Sequence, residues 1–316
     1  MTRALVVAAL VLAPAMAAAD DGTAADGDGD VVERAELVVG AGARPIGGVD
    51  IDNALGDVQI EGYDGDAVSI VAVKHAPDAV ALGRLRVTVV PDPDGTVRLS
   101  TTITERKERP AVALAAVRVD LTVRVPRGVK VSGRVTTGRL EVRDTDAGAD
   151  LDSSTGPIVV RNVAGVVFAR SLAGSQRFEE VFGSLDSHAL DGDLAFDGVR
   201  GPALTARAYD GDIEGHRVAA RQVRLASVNG RVELDAEPQA GGSLSVSSLR
   251  GAVEVRLRGA PGVAVRARAG GRLTLAGAPS QGQADRWVEA QYGSRRGRAA
   301  VQVESRFGDV SFGLVQ

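Results

Sequence analysis

A glycine followed by alternating apolar and polar residues recurs along most of this chain, at Gly138, Gly156, Gly174, Gly192, Gly211, Gly230, Gly251 and Gly271. The spacings are 18, 18, 18, 19, 19, 21 and 20 residues. Gly56 and Gly308 open the same motif far from the main run. A fixed period near 20 without helical patterning marks stacked strand-turn units. Such units cannot bury their own apolar face, so each must stack on its neighbours.

The columns of the repeat define its inside. Two and four places after the glycine stand Leu140 and Val142, Ile158 and Val160, Leu194 and Phe196, Val232 and Leu234, and Val253 and Val255. Alternation at period two puts both on one face of a short strand, here the inner one. Glu141, Glu233 and Glu254 lie between them and face outward. Three places before the glycine the residue is Ser or Ala throughout: Ser153, Ser171, Ala189, Ala208, Ser227, Ser248 and, before the Gly270–Gly271 pair, Ala267. Small residues there fit a tight inner corner, and the glycine fits a turn with positive φ. A second series, Gly148, Gly165, Gly183 and Gly201, gives each unit two strands and two turns. Gln176 and Gly215 occupy apolar slots, which predicts locally weaker third and fifth units. The fold class is therefore all-β, a β-solenoid of 18–21-residue repeats.

Residues 36–126 read differently, as an N-terminal antiparallel cap with a first repeat. Leu85–Val89 and Val97–Ile103 flank a Pro91–Gly95 turn, and Val117–Val125 alternates cleanly up to Pro126. Caps stop solenoid edges from pairing end to end. Gln283–Arg298 is the expected counterpart at the other end of residues 127–316.

Residues 1–19 read as a cleaved secretory signal: Arg3, an apolar run from Ala4 to Ala13, then Ala17, Ala18 and Ala19 before Asp20. The run is shorter than the ~20 residues that span a bilayer, and residues 20–35 begin as an Asp/Gly linker. The formal charge of −4 gives no reason to expect nucleic acid as a partner, and no later segment reads as membrane-spanning. The localisation that follows is periplasmic, cell-surface or secreted. Without cysteine there are no disulfides, thiolate metal sites, thiol nucleophiles or lipidated N-terminal Cys.

Val49–Gly62, Asp64–Ile70 and Val123–Val131, followed by the Ser-to-Gly units, carry a resemblance. Over roughly residues 36–312 the chain resembles the bacterial putative-adhesin β-strand repeat family, a domain of unknown function related to adhesin head domains. The resemblance implies an exported β-solenoid and brings no catalytic residues.

The residues themselves point the same way: no metalloprotease, nucleophile-elbow or phosphate-loop motif occurs, and neither a cofactor nor a metal site is expected. His188 and His216 lie in different units and read as surface positions. Asp191, Asp193, Asp210 and Asp212, from two Asp-Gly-Asp turns, would stack into a carboxylate ladder able to bind calcium or act on a polysaccharide; turn formation explains them more simply. Trp287, Tyr292, Arg295 and Arg296 are the candidate ligand contacts, since aromatics beside Arg stack on sugars or peptides; a cap core explains them equally. The reading is a non-enzymatic scaffold presenting flat strand faces to a glycan, cell-wall polymer or envelope protein. A carbohydrate-active β-helix enzyme and an envelope-stress or assembly accessory are the alternatives.

The columns make a direct prediction. Leu194→Asp removes an apolar contact worth about 1.5–3 kcal/mol and buries a charge, so it unfolds the chain. Glu233→Ala shifts stability by no more than about 0.5 kcal/mol. Equal shifts of the urea midpoint would refute the inside-outside assignment.

Overall fold

The computed structural model describes residues 10–11, 31–40, 44–104, 117–259, 262–276, 278–279 and 286–315. Of the expected signal segment only Leu10–Val11 is described, paired antiparallel with Val89 and Thr88. The remainder of that segment and linker residues 20–30 lie outside the described residues. Residues 31–35, expected as linker, belong to the strand Val31–Val39. Among the described residues all regular elements are strands except one helical turn, Ala79–Leu82, capped by Asp78, which accepts the Ala81 N–H at 2.7 Å. The chain divides into two compact units between Ala147 and Gly148.

In the N-terminal unit the antiparallel strands are present. Val31–Val39 pairs with Val68–Ala76, which pairs with Arg118–Pro126. Leu85–Pro91 and Thr96–Ile103 form the expected hairpin. In its turn Asp94 accepts the Thr96 N–H at 2.8 Å. Parallel pairing then takes over: Thr96–Ile103, Gly48–Leu55 and Lys130–Thr137 lie side by side in that order. Arg118–Pro126, Val58–Tyr63 and Leu140–Arg143 do the same. The early rung that holds Gly56 thus sits between two later ones, which is why its motif stands alone in the sequence.

In the C-terminal unit the repeat is the register. Ile158, Gln176, Leu194, Ile213, Val232, Val253 and Val310 are successive partners in parallel pairs. All are buried to 1% exposure or less. The second strand of each rung aligns Ser153, Ser171, Ala189, Ala208, Ser227, Ser248 and Ser305. Chain order fails at the end. Ala299–Ser305 lies between Ser243–Ser248 and Gly262–Ala269, and Val310–Val315 lies between Val253–Arg258 and Leu273–Leu275. Ala269, not Ala267, stands beside Ser305, and Ala267 pairs with Val303. Of the expected C-terminal counterpart, Val288–Gly293 runs antiparallel to Gly262–Ala269, and residues 283–285 lie outside the described residues.

The glycine column has a steric cause beyond backbone angle. A Cβ on Gly174 would collide with the Gly156 carbonyl oxygen, and one on Gly230 or Gly251 with the carbonyl of the preceding Gly in the column. Gly174 has φ +140, but Gly230 and Gly251 are outside the left-handed region, so there close approach alone excludes a side chain. The serines do more than fit. Ser227 donates to the Gly211 carbonyl at 3.0 Å and accepts the Gly230 N–H at 2.9 Å. Ser248 and Ser305 repeat this with Gly230 and Gly251 and with Gly251 and Gly308. Each hydroxyl ties two rungs at the turn. In the N-terminal unit Asn53 takes this place, donating to the carbonyls of Gly56 and Val119.

Neither irregular slot is simply a defect. Gln176 is wholly buried, but its amide donates to Ser171 Oγ at 2.8 Å and the His188 carbonyl at 2.7 Å, while its oxygen accepts from Ser187 Oγ at 2.8 Å. A buried polar group so satisfied does not carry the desolvation penalty of an unpaired one. At Gly215 a Cβ would lie 3.0 Å from Leu234 Cδ1 and 3.4 Å from Val218 Cγ2, so neighbouring side chains already fill the slot. Next to these positions Phe178 and Phe196 stack with centroids 5.2 Å apart.

Gln176→Ala should therefore destabilise by about 1–3 kcal/mol, because it orphans the buried Ser187 hydroxyl and the His188 carbonyl. Arg177→Ala, on the exposed side of the same strand, should change stability by under about 0.5 kcal/mol. Urea unfolding followed by far-UV circular dichroism checks both.

Candidate binding face

The aromatic and basic residues near the C-terminus do not converge. Trp287 and Tyr292 differ by an odd number along an extended segment and so point to opposite faces. The Trp287 ring is covered by the Arg266 guanidinium, 4.4 Å from its centroid, with that of Arg268 at 5.9 Å. Tyr292 is half-buried and stacks on the core residue Phe312 at 5.9 Å. Arg295 and Arg296 are exposed on the turn that follows. Arg298 is folded back, donating to the Ser294 carbonyl at 3.0 Å and to Gln291 Oε1 at 2.6 Å.

The aspartates after the glycines are occupied by the backbone. Asp193 accepts the Asp212 N–H at 2.8 Å, and Asp212 accepts the Arg231 N–H at 2.7 Å. Asp57 takes the Arg139 N–H at 2.9 Å, and Asp309 the Arg272 N–H at 2.7 Å. The alternation of Asp and Arg after the glycine is explained by this clamp: Arg139, Arg231 and Arg272 each stack on an Asp that holds their amide. These carboxylates thus bond the backbone of the adjoining rung. A cavity of about 290 Å³ beside these turns is lined by Arg177, Asp193, Asp212 and Glu214 among others, so its acids include two that already hold backbone amides. His188 pairs with Asp186 at 2.9 Å, while His216 sits on another strand beside Asp197. Among the described residues no group of three or more His, Asp or Glu side chains is placed to hold a metal ion.

The two outward surfaces of the C-terminal unit differ in chemistry. Outside the first strands of the rungs, charges are matched: Arg161 with Glu179 at 3.0 Å, Arg258 with Asp235 at 2.6 Å, and Arg256 with both Glu233 and Glu254. At the adjoining corner Arg217 bridges Asp197 at 2.7 Å and Glu180 at 2.9 Å. Glu180 and Arg217 have φ of +52 there, in the left-handed region. A surface so laced with pairs is a solvated one.

Outside the second strands, the position after the Ser/Ala column is apolar on five successive rungs: Leu172, Leu190, Tyr209, Val228 and Leu249. Parallel register makes them neighbours, since the flanking positions pair as Ser171 with Ala189, Ala189 with Ala208, Ala208 with Ser227 and Ser227 with Ser248. Leu172, Leu190 and Tyr209 are 60, 53 and 51% exposed. At about 4.8 Å per rung the strip is roughly 19 Å long. Beside it on one side run Arg170, His188 and Arg207, two residues back along each strand; on the other lie Asp191 and Asp210 at the turn. Asp210 accepts from the Asn229 amide, and Asn229 accepts from Arg250 at 2.6 Å. The reading of the sequence passed over this strip, although the column next to the serines carries it.

On the charge-matched surface, the hydrogen bond from Arg217 holds the Asp197 carboxyl below its ordinary pKa, with its coulombic attraction adding to the effect. A carboxyl lowered in the folded state contributes stability above its unfolded pKa, about 3.9, and loses it as pH falls through the lowered value. Because the pair is exposed, the contribution is small. Arg217→Ala should move the Asp197 carboxyl titration upward toward about 3.9, read by carboxyl carbon NMR. An unmoved titration would contradict the pairing.

No protein-family model and no curated protein matches the chain. Solved structures do. A putative adhesin from Parabacteroides distasonis superposes with a TM-score of 0.52 at 11% identity, covering 92% of this chain and 98% of that one. A putative adhesin from Bacteroides fragilis gives 0.41 at 13% identity over 89% and 97%. A putative cell adhesion protein from Clostridium sporogenes gives 0.25 at 11% identity over 90% and 100%. The structural neighbours are thus of the kind the sequence resemblance named, and the first of them shares this all-β fold.

Proposed function

We propose that this chain is an exported, non-enzymatic β-solenoid scaffold of the bacterial envelope, adhesin-like, that binds through a flat strand face. The observation that carries the reading is the exposed strip Leu172, Leu190 and Tyr209. Contiguous apolar surface on an otherwise polar face marks an interaction site. The first-strand surface of the same unit, by contrast, has its charges paired with one another. The partner is a glycan, a cell-wall polymer or an envelope protein. The backbone role of Asp193 and Asp212 favours a scaffold over an enzyme built on stacked carboxylates. Among the described residues no helix is long and apolar enough to cross a membrane.

Retention on immobilised cell-wall and polysaccharide fractions tests the reading, with a reducing-end assay on the eluate. The expected result is retention without new reducing ends, weakened several-fold by Leu190→Asp while the strand signal in circular dichroism is kept. Product formation that disappears in Asp191→Ala plus Asp210→Ala would instead make the chain an enzyme. Protease added to intact producing cells should cleave the chain if it is displayed outside, and spare it until the outer envelope is opened if it is periplasmic.

A further inference from the structure

Val31–Val39 is hydrogen-bonded into the sheet on one side only. Among the described residues it pairs with Val68–Ala76 and with no other strand. Its inward residues show the open flank: Ala35 and Leu37 are half-buried, whereas Ala72 and Ile70, which they face, are 1 and 2% exposed. An edge strand leaves the main-chain groups of every second residue as a template for another strand. Edges are ordinarily blunted by proline, by a bulge or by charges that repel an incoming chain. This one has no proline, and its nine register pairs run without a bulge. Its outward face carries Val32, Arg34, Glu36 and Val38, and the two valines are 54 and 66% exposed. Read backwards, that face is Val-Glu-Arg-Val, the same face with its charges exchanged.

We infer that Val31–Val39 is a self-pairing edge, and that its occupant is the same strand of a second copy of this chain, antiparallel and centred on Ala35. In that register all nine residues are paired, and a two-fold axis stands perpendicular to the sheet between the two Ala35 residues. Facing side chains then share one side of the joined sheet. Val32 meets Val38 of the other copy and Arg34 meets Glu36, each twice by symmetry. On the inward side Val31 meets Val39, and Glu33, held by Lys74 at 3.0 Å, lies beside Leu37. Charge selects this register. The same axis centred on Arg34 sets that arginine against the other copy's Arg34, and centred on Glu36 it sets glutamate against glutamate, both repulsive. Centred on Glu33 or Leu37, it puts Val32 against Arg34 or Val38 against Glu36. Parallel pairing in register again places each charge beside its like. Within the chain Arg34 already donates to Glu36 Oε1, from Nε at 3.0 Å and from Nη2 at 2.7 Å. That pair runs along the strand with both side chains 64% exposed, and it uses neither Glu36 Oε2 nor Arg34 Nη1. Bonds from those atoms to the other copy complete a ring of four alternating charges. The contact is isologous, as a closed pair requires. It belongs to the N-terminal unit and is independent of the strip at Leu172, Leu190 and Tyr209.

The chain has no cysteine, so single introduced thiols report the register. Facing Cα atoms of antiparallel strands lie about 4.5–5.5 Å apart, within disulfide reach. Glu214→Cys, at an exposed position in the other unit, reports random collision. Val32→Cys and Val38→Cys chains, mixed in equal amounts and mildly oxidised, should form the mixed disulfide about tenfold faster than Glu214→Cys dimerises, because docking raises the local concentration. Neither Val32→Cys nor Val38→Cys alone should exceed that control. Adding Arg34→Glu to both chains should bring the mixture down to the control rate, since carboxylates then face carboxylates. Adding Glu36→Arg to both should do the same. Arg34→Glu in one chain and Glu36→Arg in the other should restore fast coupling, because every facing charge is again opposite. That mixture contains the same altered chains, so its recovery separates charge from misfolding. A mixture no faster than the Glu214→Cys control, Val32→Cys coupling alone as fast as the mixture, or a rate indifferent to Arg34→Glu would each overturn the pairing.

Discussion

The close approach of one turn to the next is the constraint on which both units depend. In the glycine column a Cβ would collide with the carbonyl oxygen of the adjoining rung, at Gly138 over Gly56 as at Gly230 over Gly211. Removing that atom lets successive strands stay in parallel register through the turn, so backbone hydrogen bonding is not broken at each corner. Once register is held, every position becomes a column. Whatever the sequence places in a column is multiplied at the rung spacing: Ile158, Leu194, Ile213 and Val232 become one continuous buried row. The glycines thus act on the core at a distance, by aligning it.

The same multiplication explains where the polar residues go. A turn in every rung leaves peptide groups that the strand ladders cannot pair, and buried ones must find partners. Ser227, Ser248 and Ser305 close these at the inner corner, and Asp57, Asp193, Asp212 and Asp309 close them after the glycine. Gln176 follows the same logic inside the core, where it meets Ser171, Ser187 and a backbone carbonyl. A recurring carboxylate in such a repeat therefore reports a recurring backbone amide before it reports chemistry on a ligand.

Much of this was legible from residues alone. The glycine period, the alternating inner columns, the Ser/Ala column and the Pro91–Gly95 hairpin all follow from period and turn composition. Rung order was not, because a column specifies what a neighbour must look like, not which copy it is. The displaced motifs at Gly56 and Gly308 were the only signal, and each proved to be a rung whose stacking neighbours lie far away in sequence. Gln176 read as a weakness because its partners Ser187 and His188 lie half a unit further along the same rung, and a column aligns residues between rungs, not across one. The left-handed corners at Asn162, Glu180 and Arg217 were hidden since none is Gly. As for the candidate site, Trp287 and Tyr292 were singled out as aromatics beside Arg, and their odd separation along an extended segment sends them to opposite faces. The strip from Leu172 to Leu249 escaped for another reason: an apolar residue in a strand reads as core, and only the column's odd offset from Ser171 and its equivalents turns it outward.

That outward offset is what separates the strip from incidental exposure. Single surface leucines are ordinary, and a scattered set would call for no account. Here, however, register gives an exposed side chain no way to be alone: a leucine at one rung has the residue of the next rung about 4.8 Å away. An apolar column is then a continuous surface with a direction, and a charged column beside it is a continuous field. On the first-strand surface Arg and acids pair between neighbouring columns and rungs, so the field cancels locally, as where Arg256 meets both Glu233 and Glu254. On the second-strand surface Arg170 meets Asp152 and His188 meets Asp186 beside the apolar row, but the row itself stays exposed at Leu172, Leu190 and Tyr209. Two surfaces of one repeat, built from the same register, thus end with opposite properties. One is matched to water by its charge pairs, and the other carries an apolar row that water does not match.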